Sequence, residues 1–466
     1  MNNFEKFKNF FTNAGKGDMG EGNVLKTLIN LSVPSIAMVL FHSFFHLVDT
    51  VFISWLGEVQ MIAISYTFPV QIGLFAILEG IGNGLAALVA HKLGESNNDD
   101  AQKITSSGIA LAYLLSLLWL PLMFPSFSNS FFSLLGASDP RILHQAWLYN
   151  MWAPPMYIFI SFTFVANTIF RCQGNTVIPL KSFLIANGAN LILDPIFIFI
   201  FGWGITGAAV ATMIGRILGV LFLIEKLREH SALKVSFIPN IKSFMLPYWK
   251  KIIKVGLPVT ITTGSVALGM GSVNRIITGT FGPQAVAAWM LGMRIEDIVL
   301  GSLMGINDAL VPFLAFNYGR KDKARMKKAL RSAFIISAGV TGLIGMLIGF
   351  FPLPIIAIFN PTREIALLAS QALRITLAGY PLVIYIIIYN SLFVATGHSI
   401  YGTIAQVSRS VILRIPAVHF LAKVVSINNI WWFQPISFAG ASLITAFYGN
   451  RLIKKIEIDE DINDVF

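Results

Sequence analysis

Apolar runs of twenty or more residues recur along the whole chain, each closed by a short polar or glycine-containing turn. A helix that crosses a bilayer needs about 20 mostly apolar residues at 1.5 Å each. That rule predicts twelve spans, at 27–55, 61–90, 104–126, 145–170, 177–202, 205–225, 252–280, 285–316, 329–352, 367–395, 399–422 and 431–450. The intervening turns LGE (56–58), FGW (201–203), FGP (281–283) and ATGH (395–398) carry residues that stop helices. One sizeable hydrophilic connection divides the spans six and six. The fold class expected is all-α and polytopic. Its parts are an N-terminal segment 1–23, a first lobe 24–225, a linker 226–250, a second lobe 251–455 and an acidic tail 456–466.

The two halves repeat one another. Gly57 and Gly282, Gly80 and Gly305, and Gly94 and Gly319 are each 225 positions apart, and Pro34 stands against Pro258. Local phrases follow: LVDTVFISWLG against SVNRIITGTFG, and HKLGESNNDDAQK against FNYGRKDKARMKK. Six spans per half keep both repeats in one orientation, so the lobes are related by an axis along the membrane normal. Two such lobes facing a central cavity are the architecture of a transporter that rocks between two accessible states. A receptor or a membrane enzyme has no need of the repeat, and no HExxH helix or GxSxG elbow occurs in the chain.

Composition agrees. Of 466 residues 55% are hydrophobic and 12% charged, against roughly 25% charged in soluble domains. The net charge of +11 does not call for nucleic acid. The basic residues cluster at 226–254 and 320–331, after even-numbered spans, whereas 56–61, 201–205 and 281–284 have none. By the positive-inside rule both termini and the even-numbered loops are cytoplasmic. No cleavable leader is expected, because residues 1–23 are polar and the first apolar run is long enough to stay inserted. Cys172, the one cysteine, excludes an intramolecular disulfide and reads as a packed apolar residue.

The chemistry concentrates in the first half. Asp49 lies inside the first span, and an ionisable group in a membrane helix is a functional candidate by default. It stands eight residues before the turn glycine Gly57, about 12 Å along the helix. Asp194 stands eight before Gly202, and Thr212 nine beyond Trp203, so the three share one depth. Asn187, Asn190 and Asp194 fall at i, i+3 and i+7, one face of the fifth span. Two carboxylates with amide and hydroxyl oxygens suit a proton or a sodium ion, which takes oxygen ligands. No basic partner for the pair is evident in these spans. His42 and His46 reach the face of Asp49, either as a proton relay or as hydrogen-bonded packing residues. Glu79 either lines the cavity or bonds a neighbour.

The second half lacks these acids. Asn274 stands in place of Asp49, and ILRIPAV replaces LILDPIF. Arg275, Arg294, Arg409 and Arg414 are expected to pair with Glu296, Asp297 and Asp308, since buried charges persist when paired.

The phrases LVDTVFISWLG, ANTIFRCQGN, NLILDPIFIF and GAAVATMIGR, in this order, resemble the multidrug and toxic compound extrusion (MATE) family, its DinF-type prokaryotic branch in particular. The resemblance covers about 24–455. It implies a twelve-helix antiporter of the cytoplasmic membrane, not an enzyme. It would be without a cofactor and act as a monomer, exporting organic compounds in exchange for H+ or Na+. It places the coupling site at Asp49, Asn190, Asp194 and Thr212, with Asn167 of ANTIF close by. Phe45 and His46 depart from the Tyr and Asn of many relatives. A flippase for a lipid-linked or anionic amphiphile is the alternative, raised by the second-half arginines.

Overall fold

The computed structural model describes residues 16–240 and 243–458; of His46, Leu47, Thr50, Ser54, Phe68, Pro69, Glu457 and Ile458 it describes the backbone only. Most of the acidic tail and the first fifteen residues of the N-terminal segment lie outside the described residues. In the first lobe α1 (Val24–Ser54) and α2 (Glu58–Gly94) are followed by α3 (Asn98–Ser116), which a 3-10 segment, Leu117–Met123, prolongs. A short α4 (Pro125–Leu134) leads to α5 (Pro140–Asn150) and α6 (Ala153–Cys172), which together form the fourth span. Then come α7 (Val177–Pro195), ending in a π-turn at Ile196–Ile200, and α8 (Gly204–His230).

The second lobe repeats the order. It comprises α9 (Leu246–Phe281), α10 (Pro283–Gly319), α11 (Lys323–Phe350), a short α12 (Pro352–Ala357), α13 (Arg363–Ala378) and α14 (Tyr380–Ala395). α15 (Ser399–Val407), a π-turn at Ser408–Leu413, α16 (Arg414–Val424) and α17 (Phe433–Ile458) complete it. Among the described residues nine helices are long and apolar enough to cross a membrane, and α13–α14, bent by 53°, is a tenth span. The remaining two of the twelve are α15–α16, interrupted by its π-turn, and the less apolar α17.

The repeat holds down to backbone angles. The turns between the second and third spans put Ser96 at φ +60° and Lys321 at φ +58°, 225 positions apart. Each is followed by a helix cap: Asn97 accepts from Asp100 N, and Asp322 from Arg325 N. A capped start worth about 1 kcal/mol is therefore built twice.

The lobes meet through α1, α2, α9 and α10. The close approaches lie in the half of the molecule that carries both termini. Gly80 and Gly256 bring backbone against backbone, and a Cβ on Gly80 would lie 2.6 Å from the Gly256 carbonyl oxygen. Only a residue without Cβ permits that approach. Nearby, Gly94 lies against the backbone of Phe316 and Gly319 against that of His91.

The N-terminal segment straps the two lobes together at this end. Gly17 N donates to Gly174 O of the first lobe at 3.0 Å. From the second lobe Arg325 donates to the carbonyls of Met19, Glu21 and Gly22, and Asn317 donates to Met19 O. The connection between lobes is shorter than predicted, since α8 continues to His230 and α9 starts at Leu246. It is docked on the first lobe, where Tyr113 donates to Phe237 O at 2.9 Å and the Phe237 ring meets Phe162. Cys172 is buried, with its sulfur on Ala86 O at 3.6 Å.

Candidate ion and substrate site

α7 turns Asn190 and Asp194 toward α8 and α1. The Asn190 amide donates one hydrogen to Asp194 Oδ1 at 3.0 Å and one to Thr212 Oγ1 at 3.2 Å. Thr212 passes its own hydroxyl hydrogen to Ala208 O at 2.9 Å, which leaves its oxygen free to accept. Both amide hydrogens are used, so the Asn190 side chain has one orientation. Just past Asp194, Pro195 lacks an N–H, and the chain opens into a π-turn. Single π-turns of this kind occur where a helix serves a site.

Asp194 is 1% exposed and half-buried Asp49 faces it, with their carboxyl groups in hydrogen-bonding contact. Two ionised carboxylates would repel, so such a contact persists when the pair shares a proton or a cation.

Two further residues complete the cluster. Arg216, one turn past Thr212 on α8, lies near Asp49 and Tyr149. Tyr149 of α5 bonds Gln71 of α2 and faces both aspartates. The expectation that the pair has no basic partner is thus corrected. An arginine in the middle of the sixth span was the signal for it, because a charge there must face a partner inside the bundle. Formally the cluster holds two negative charges and one positive.

Arg216 also lines a cavity of about 340 Å³ bounded by α1, α2, α6, α7 and α8 of the first lobe and by α10 of the second. Phe75, Phe164, Phe183, Met38 and Met304 supply apolar walls, and Glu79, Arg171 and Asp308 supply charge. His42 is on the wall, its ring 6.1 Å from that of Phe183. Asn167 is there too, its Oδ1 buried without a hydrogen-bond partner among the described residues. The His46 side chain lies outside the described residues. Glu79 both lines the cavity and bonds a neighbour, accepting from Thr263 Oγ1 of α9 at 2.9 Å. Asn187 is held by its own helix, donating to Phe183 O at 2.8 Å. Asn274 lies in the second lobe and donates to the Met290 sulfur at 3.6 Å, outside the cavity.

The pairing expected among second-half charges is also corrected. Asp308 pairs with Arg171, an arginine of the first lobe, because α10 packs against α6 of that lobe beside the cavity. Among the described residues no acid comes within ion-pair distance of Arg275, Arg294, Arg409 or Arg414. Glu296 accepts from Tyr380 OH at 3.0 Å and has Arg409 and Arg414 in its surroundings.

The MatE family model matches residues 34–196 and 260–419. The FAD transporter of Shewanella oneidensis is 24% identical over 444 residues, which cover 93% of this chain and 96% of that protein. Multidrug export protein MepA of Staphylococcus aureus is 27% identical over 421 residues, 88% of this chain and 90% of MepA. Among solved structures, MATE in complex with MaL6 superposes with a TM-score of 0.87 at 21% identity, covering 94% of this chain and 98% of that one. An outward-facing multidrug resistance MATE transporter of the MOP superfamily superposes at 0.86 and 21% identity, covering 94% and 97%.

Proposed function

The chain belongs to the MatE family of membrane transporters, and from that premise we propose that it is an antiporter of the cytoplasmic membrane, exporting organic compounds in exchange for protons. The observation that carries the reading is the carboxyl–carboxyl contact of Asp49 and Asp194 beside Arg216. One proton brings the formal charge of that cluster to zero, and a low-dielectric interior favours the neutral state. Sodium, held by the same oxygens with Asn190 and Thr212, would do the same. With both termini cytoplasmic, the close packing at their end of the molecule is a closed inner gate, and the state described is outward-facing.

Export then follows from differential binding. The ion must prefer one lobe arrangement over the other, or it drives nothing. Asp49 on α1 and Asp194 on α7 lie on different helices, so loading the pair changes how those helices pack. Substrate takes the cavity, whose phenylalanine and methionine walls repack around varied shapes. Transport of drugs or FAD is what the relatives' names state of those proteins, and an organic substrate is carried over here as part of the proposal.

The test is reconstitution in liposomes with Asp49→Asn and Asp194→Asn. Each variant should lose gradient-driven export by at least about tenfold, the scale at which a carboxylate is required. A pH gradient should drive the wild type, whereas a sodium gradient alone would reassign the ion. Export by both variants at the wild-type rate would sink the mechanism.

A further inference from the structure

The second lobe carries the inverse charge balance. The 225-residue repeat offset takes Gln71 onto Glu296, so the residue bonded to Tyr149 in one lobe corresponds to the residue bonded to Tyr380 in the other. In the first lobe that frame encloses two acids and one arginine. In the second it encloses one acid, Glu296, and two arginines, Arg409 and Arg414, set within and just after the π-turn between α15 and α16.

These arginines are placed but not satisfied. Arg414 is 4% exposed. Arg409 lays its guanidinium 5.5 Å from the centre of the Phe438 ring. Neither makes a hydrogen bond or ion pair among the described residues, and the Nε of each is buried without an acceptor. Glu296 already accepts the Tyr380 hydroxyl and offsets only one of the two charges. An uncompensated cation in the interior of a membrane protein is expensive and points to a function. A guanidinium fork matches a carboxylate or phosphate through two parallel hydrogen bonds.

We propose that Arg409 and Arg414 form an anion site inside the second lobe, which takes the carboxylate or phosphate group of the exported compound. The assignment of that group to the exported compound rests on the export reading above. It makes the transported class organic anions or zwitterions.

Equilibrium binding of radiolabelled benzoate and phenyl phosphate to the purified full chain tests it, with no gradient present. Saturable binding is expected, weakened at least tenfold in Arg409→Gln and Arg414→Gln. Glu296→Gln, which keeps both arginines and removes the opposing charge, should bind several-fold tighter. That variant keeps the test decisive if an arginine variant fails to fold. No saturable binding, equal binding in both arginine variants, or looser binding in Glu296→Gln would overturn the site. Chloride or inorganic phosphate displacing the label at equal concentration would overturn the assignment to the exported compound. Anion binding without any gradient-driven export would leave the site standing and defeat the export reading instead.

Discussion

In the proposed antiport, Arg216 sets how many protons neutralise the first-lobe cluster. With its charge beside Asp49 and Asp194, one proton suffices; with Arg216→Gln, two are needed. Proton flux per exported molecule in liposomes should therefore rise from about one toward two, because the membrane interior disfavours a residual charge. An unchanged ratio would show that Arg216 only packs. His398, in the turn before α15, offers a pH test away from the transport path. Burial holds its imidazole below the ordinary value of 6.5, and the nearby Lys455 and Lys254 act in the same direction. Its Nδ1 meets Thr396 O at 2.8 Å. A histidine depressed in the fold adds stability above its unfolded pKa, and that stability is lost as pH falls below about 6.5. The unfolding midpoint should drop between pH 7 and pH 5.5, and His398→Asn should flatten the drop.

The strap at 17–23 is short, yet three guanidinium hydrogen bonds and the Asn317 amide hold its carbonyls. Arg325 also lies over the Phe313 ring at 5.4 Å. Arg325→Ala strips these donors from partly buried acceptors, at a cost of about 1–3 kcal/mol each where water does not replace them. Hydrogen exchange at residues 17–23 should rise by an order of magnitude or more, while the helices of both lobes keep their protection. The π-turns at the ends of α7 and α15 recur in both lobes. Neither was legible in the sequence, where LILDPIF and ILRIPAV read as helix with a proline in it. Whether a proline is absorbed by a kink, a break or a π-turn depends on the neighbouring helices that satisfy the freed groups.

The two lobes meet closely at one end, through Gly80 against Gly256, the strap and the Arg171–Asp308 pair. Gly80→Val places a side chain where the opposing backbone stands, and overpacking of this kind costs about 1–3 kcal/mol. The lobes should then part at that end. In a Cys172→Ser background, thiol labelling of Phe316→Cys should quicken by about tenfold; unchanged labelling would mean that the lobes do not separate there. The spans, their number and the internal repeat are determined by the sequence alone, because hydrophobic length and a 225-residue offset are properties of the chain read in one dimension. Helix rise also places Asp49, Asp194 and Thr212 at one depth, since distance along a helix is a residue count. Which groups touch across helices is a different matter. That Arg216 lies beside the aspartates, that Asp308 reaches Arg171 instead of an arginine of its own half, and that Arg409 and Arg414 share one acid depend on how each helix is rotated about its axis. Packing against the whole bundle sets that rotation, and no single helix encodes it.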